Sequence, residues 1–137
     1  MQIQPNRDQE QLRLLSTLHY VMGGLTAAMS LFSLIHIGTG IFLLNAEDAF
    51  PIEEGASAPP PEFGWIFLGA GLGVLVLGIT LAICLICSGR FLSRRTHYTF
   101  SFVVACLICL SVPLGTALGV FTILVLSRPT VKQIYGR

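Results

Sequence analysis

Three stretches of this chain lack Asp, Glu, Lys and Arg altogether: His19 to Asn45, Gly64 to Gly89 and Thr96 to Ser127. Each exceeds the roughly 20 apolar residues that a helix needs to cross a bilayer core of ~30 Å. The chain has 137 residues, 53% of them hydrophobic, with a mean hydropathy of +0.77. That leaves no room for a separate soluble catalytic domain. The expected fold class is all-α: one polytopic transmembrane helical bundle.

The net charge of +1 hides a segregation. Arg7, Asp8, Glu10 and Arg13 cancel one another near the N-terminus. The segment 45–63 carries Glu47, Asp48, Glu53, Glu54 and Glu62 and no base. The segment 89–96 carries Arg90, Arg94 and Arg95, and the tail 128–137 carries Arg128, Lys132 and Arg137. Basic loops stay in the cytoplasm, whereas Asp and Glu weigh little. The acidic, proline-rich segment is therefore expected outside and the two basic segments inside.

Residues 1–17 read as a short polar cytoplasmic helix, with Asn6 as N-cap and Gln9 as its capping-box partner. It is expected to run into a first span, Leu18 to Leu44. That apolar run is too long for a signal-peptide core, so the span is expected to remain as an uncleaved anchor. Pro51, Gly55 and Pro59-Pro60-Pro61 disfavour helix in the first loop. A second span follows from Gly64 to Ser88, with Phe63 and Trp65 at headgroup level.

The third apolar stretch would measure ~48 Å as one helix, far more than a bilayer core. Pro113 near its middle removes a helical hydrogen bond. The stretch is either one long helix kinked at Pro113, giving three spans, or two short spans split there, giving four. Four spans keep the basic tail inside with the N-terminus, so bundle 18–127 is expected to have four.

Small residues mark the expected packing faces: Gly24-x-x-x-Ala28, Gly69-x-x-x-Gly73 and Gly115-x-x-x-Gly119. Where burial of apolar surface no longer drives association, glycines four apart allow backbones to approach closely. Gly71 and Gly78, seven apart, add a second smooth stripe. Whether these contacts lie within one chain or between chains stays open at this point.

Chemistry is sparse. Cys84-Leu-Ile-Cys87 and Cys106-Leu-Ile-Cys109 could suggest a four-thiolate site, but the two pairs sit ~13 Å apart in depth on antiparallel spans. Buried cysteine then serves as a small apolar residue. His36 is the one imidazole deep within a span, and no carboxylate accompanies it. His19 and His97, with Tyr20 and Tyr98, are expected at the inner interface. Arg90, Arg94, Arg95, Arg128 and Lys132 form a basic inner collar suited to an anionic leaflet. No phosphate-cradling loop, G-x-S-x-G or H-E-x-x-H motif occurs.

Three segments carry a resemblance. They are Leu18-His19-Tyr20-Val21-Met22-Gly23-Gly24-Leu25, the loop Gly89-Arg90-Phe91-Leu92-x-x-Arg95, and Pro113-Leu114-Gly115-Thr116-Ala117-Leu118-Gly119-Val120-Phe121-Thr122 through Arg128-Pro129. From Leu18 to Lys132 the chain resembles an uncharacterised family of short bacterial inner-membrane proteins. The resemblance implies a bacterial inner-membrane location with a cytoplasmic N-terminus, and brings no activity with it.

The function expected from the residues is non-enzymatic, without cofactor, metal or nucleic acid. The chain would act by self-assembly into a homo-oligomer or as a scaffold subunit with another membrane protein. The alternative is a small oligomeric channel or transporter, with Ser33, His36, Thr39, Thr116 and Thr122 as polar lining.

Overall fold

The computed structural model describes residues 5–45, 60–111 and 113–136, with the side chains of residues 5 and 6 left aside. The acidic loop positions Glu47, Asp48, Glu53 and Glu54 and the prolines 51 and 59 lie outside the described residues. Regular structure among the described residues is entirely helical. The helices are α1 (Pro5–Leu31), α2 (Ser33–Leu44), α3 (Pro61–Arg94), α4 (Tyr98–Ile108), α5 (Leu114–Leu126) and α6 (Pro129–Ile134).

Helix α1 opens on Pro5, whose missing N–H costs nothing in the first turn. Asn6 is therefore inside the helix rather than its N-cap, and the polar N-terminus is one body with the apolar segment that follows. Between α1 and α2, Phe32 keeps helical dihedrals (φ −61°, ψ −23°). Its N–H bonds to Met29 O and its own O accepts from Ile35, both three residues apart. Ser30 Oγ donates to Ala27 O (2.8 Å) and Ser33 Oγ to Ser30 O (2.6 Å). Serine hydroxyls that take helical carbonyls loosen and bend the ladder.

Two helical segments, Arg7–Leu44 and Pro61–Arg94, are long and apolar enough to cross a membrane. In each, only 17% of the most apolar 18-residue window is buried. Large apolar side chains such as Val21, Ile35, Trp65, Leu77 and Ile83 are more than half exposed.

The third apolar stretch is not one kinked helix. Helices α4 and α5 run antiparallel: Tyr98 Oη donates to Leu126 O (3.0 Å) at one end, and Thr116 Oγ1 to Cys109 O (2.8 Å) at the other. Pro113 sits immediately before α5, where its lack of an N–H does no harm. The alternative of one long third helix kinked at Pro113 is thereby corrected to a reversal of the chain, while the structure shows two helical segments that could span and does not confirm four. At 1.5 Å per residue, α4 and α5 measure only ~17 and ~20 Å.

Contacts divide the chain into two units, Met1–Leu25 with Leu81–Arg137, and Thr26–Thr80. The first unit has its core where the start of α1 meets the end of α3 and the α4–α5 hairpin. Leu12, Leu15, Leu92, Val125, Leu126 and Val131 pack there, flanked by Tyr98, Phe102 and Tyr135. A second cluster joins Leu85 of α3 to Val104 and Ile108 of α4. The other unit is a helical hairpin, formed by the end of α1 with α2 and by the first half of α3.

Candidate functional site

In the hairpin unit, small residues set the approach of the helices. A Cβ built on Gly78 would lie 2.5 Å from Ser30 Cβ, and one on Gly71 2.9 Å from Ile37 N. Gly40 and Gly64 are equally tight: a Cβ on Gly40 would fall 2.7 Å from Leu68 N, and one on Gly64 2.6 Å from Leu44 Cγ. None of these contacts tolerates a side chain without movement of backbone or core.

Gly69 and Gly73 behave differently. A Cβ on either meets nothing within 4 Å, and the same holds for Gly38 of α2. At 100° per residue, Gly69 and Gly73 lie on the face of α3 opposite Gly71 and Gly78. The GxxxG pair of α3 is thus unused among the described residues. Gly24 also has open space around it, and Ala28 is exposed.

The remaining GxxxG pair is used internally. In the first unit, a Cβ on Gly115 would lie 2.6 Å from Ile108 O, and one on Gly119 2.5 Å from both Ala105 O and Cys109 Sγ. These glycines let α5 lie against α4. Gly23 and Gly89 do the same for α1 and α3, where Ser16 Oγ donates to Gly89 O at 2.6 Å.

The candidate polar residues do not converge on one place. Ser33 and His36 line a cleft of about 230 Å³ in the hairpin unit, with Met29, Phe32, Gly71 and Val74. His36 is exposed, stacked at 6.1 Å on Phe67. The hydroxyl of Thr39 donates to Ile35 O and that of Thr122 to Leu118 O, four residues back. Thr116 and Thr122 belong to the other unit.

The fully buried imidazole is His19, not His36. Its Nδ1 lies 2.9 Å from Leu15 O. A carbonyl only accepts, so Nδ1 carries the proton. Its Nε2 is buried without a hydrogen-bond partner, as are Ser88 Oγ and Ser101 Oγ. A sequence signal for this existed: Leu12, Ser16, His19 and Gly23 follow alternating spacings of four, three and four, the period of a packed seam.

The basic residues gather at one end of the first unit. Helix α3 ends in a Schellman motif: Thr96 N–H bonds to Phe91 O (3.0 Å) and Arg95 N–H to Leu92 O (3.4 Å). The motif calls for a left-handed residue, and Arg95 supplies it at φ 56°, followed by His97 at φ 51°. Such positions suit glycine and cost about 1 kcal/mol for other residues. The ring of Phe91 packs on His97 (4.6 Å) and Phe100 (5.3 Å), holding the turn. Arg95, Thr96, His97, Thr99 and Tyr135 line an open cleft of about 690 Å³ without any carboxylate. Burial pushes the Tyr135 phenol up to about 12, with Arg95 pulling it down and Tyr98 adding to the rise.

Arg90, Arg94 and Lys132 are exposed. Arg128 is instead engaged, at 3.4 Å from Asp8 Oδ1 and donating to Gln11 Oε1 at 2.7 Å. Cys84, Cys87, Cys106 and Cys109 are free thiols. Among the described residues, no three His, Cys, Asp or Glu side chains gather as a metal site.

Comparison with known proteins returns no match to any family model, curated protein or solved structure.

Proposed function

We propose that the chain is a non-enzymatic integral membrane protein that works by assembling with further copies of itself. In this reading α1–α2 and α3 each cross the bilayer, and the α4–α5 hairpin enters and returns on the cytoplasmic side. The N-terminus, the turn at Arg95 and the tail then share the cytoplasmic face, in accord with the placement of basic residues. The sparse burial of the two long apolar windows supports the reading, because a soluble protein rarely leaves so much contiguous apolar surface bare. The bacterial inner membrane is proposed from the resemblance of Leu18 to Lys132 to short proteins of that membrane.

The observation that carries assembly is the unused face at Gly69 and Gly73. The neighbouring glycines of α3 are filled by the partner helix, whereas these two offer a smooth groove that a second α3 could enter. The test is the oligomeric state in native membranes. Crosslinked wild type is expected as a dimer or higher oligomer, and Gly69→Ile with Gly73→Ile as a folded monomer. A wild-type monomer would overturn the proposal.

A channel reading has one observation in its favour, the cleft shared by Ser33 and His36. Liposome flux that falls on His36→Ala would establish it, and the absence of flux for ions and small neutral solutes would remove it.

A further inference from the structure

Among the described residues, six serine and threonine side chains are buried, and four of them (Ser16, Ser30, Ser33 and Thr122) donate to a carbonyl. Thr17, Ser30, Ser33, Thr39, Thr80 and Thr122 each donate to a carbonyl three or four residues back along the chain. Ser16 donates across to Gly89 O. Ser88 and Ser101 do neither, although both are fully buried. A buried polar atom with no partner carries its full desolvation cost, so native structures rarely leave one bare.

Helix geometry brings these two serines and His19 to one level of the first unit. Leu85 of α3 packs against Val104 of α4. One turn on from Leu85 is Ser88, and one turn back from Val104 is Ser101. The two helices are joined by the tight turn at Arg95–His97 and run antiparallel, so the two serines face the same layer. His19 reaches that layer from α1: its Cβ would lie 3.2 Å from a Cβ on Gly89, the residue after Ser88. Three helices thus each bring one fully buried, unpartnered polar atom to the same depth.

We propose that His19, Ser88 and Ser101 bind an internal water molecule that links α1, α3 and α4. The chemistry selects water over other small ligands. With Nδ1–H committed to Leu15 O, neutral His19 offers a lone pair at Nε2, which requires a donor. The serine hydroxyls both donate and accept. Water can donate to Nε2 while exchanging hydrogen bonds with both hydroxyls, matching the roughly three bonds that buried waters typically make. A cation would find no carboxylate at this site, and an anion would meet the Nε2 lone pair. Either would be a buried charge without compensation. The site stands on the packing of the first unit alone and does not depend on self-assembly.

The test uses the full chain in detergent micelles, with ¹⁵N-labelled histidine. His19 is expected as the Nδ1–H tautomer, with magnetisation passing from a long-lived water proton to unprotonated Nε2. That transfer is expected to vanish in Ser88→Ala and in Ser101→Ala. Thermal unfolding separates a wet site from a dry one. Loss of a bridging water should lower Tm by a few degrees in each single variant, and the double variant should fall little further. A dry site would respond the other way, because removing an unpartnered hydroxyl relieves a cost and raises Tm. A rise in Tm, an Nε2–H tautomer, or a direct serine-to-Nε2 hydrogen bond without water transfer would each overturn the proposal.

Discussion

Arg128 reaches Asp8 across nearly the whole length of the sequence, with Nη1 3.4 Å from Oδ1. The pair brings the start of α1 and the end of α5 to the same end of the first unit, where Leu12, Leu92 and Val131 also pack together. In the proposed membrane reading, the start of α1 and the segment after α5 would lie on one side of the bilayer. Arg128 is nearly half exposed and Asp8 is largely covered (46% and 12%), so the pair is worth no more than about 1 kcal/mol.

Exchanging its members therefore makes a specific test. Arg128→Asp alone would face Asp8 with a like charge and lower Tm, and so would Asp8→Arg facing Arg128. The double exchange is expected to recover most of the loss, read as Tm in detergent at low salt. Added salt should shrink the effect.

Arg95 holds a left-handed backbone that a glycine would adopt without steric cost. Arg95→Gly is expected to keep the Schellman turn and to change stability by less than about 1 kcal/mol, in the stabilising direction. Arg95→Val, with a branched side chain at the same φ, should destabilise. Thermal unfolding of the two variants distinguishes a turn set by backbone geometry from one set by the arginine charge.

The glycines of α3 should separate into two classes. Gly71→Leu and Gly78→Leu would drive a side chain into Ile37 and Ser30, and are expected to lose several kcal/mol of hairpin stability. Gly69→Leu and Gly73→Leu meet open space and should leave the monomer's helix content and protease resistance unchanged.

Tyr135 gives a pH dependence. Its phenol is pushed up to about 12 in the folded chain, burial being the main cause. Because the unfolded phenol ionises near 10, folding binds its proton more tightly. This contribution is complete below about pH 10 and is lost as pH rises towards 12. Alkaline difference spectra should show Tyr135 titrating late, and Tyr135→Phe should remove that step.

The charge-free stretches made the long helices legible, and Pro113 made the break before α5 legible. Gly115 and Gly119 were also readable as a packing pair. Both spacings of the α3 glycines were legible: the hairpin uses the seven-residue one, through Gly71 and Gly78 and on to Gly64, whereas Gly69 and Gly73, four apart, meet no neighbour among the described residues. Ser30, Ser33, Ile37 and Gly40 follow the matching steps of three and four on the opposing segment. Seven-residue periodicity marks a seam between two helices, and it was the informative signal. His19 was hidden for another reason. Its place at the edge of an apolar run suggests a headgroup-level anchor, whereas packing within the first unit buries the ring completely. The left-handed turn at Arg95 carried no glycine to announce it.

Self-assembly through the open face of α3 is tested most directly by disulfide trapping in native membranes. Gly73→Cys and Val74→Cys would be compared in a chain whose four native cysteines are replaced by alanine. Position 73 lies on the open face, and Val74 lines the cleft with His36. The account predicts a covalent dimer on mild oxidation of the Gly73→Cys chain and little for Val74→Cys. A monomer at both positions, or equal trapping at both, would contradict it.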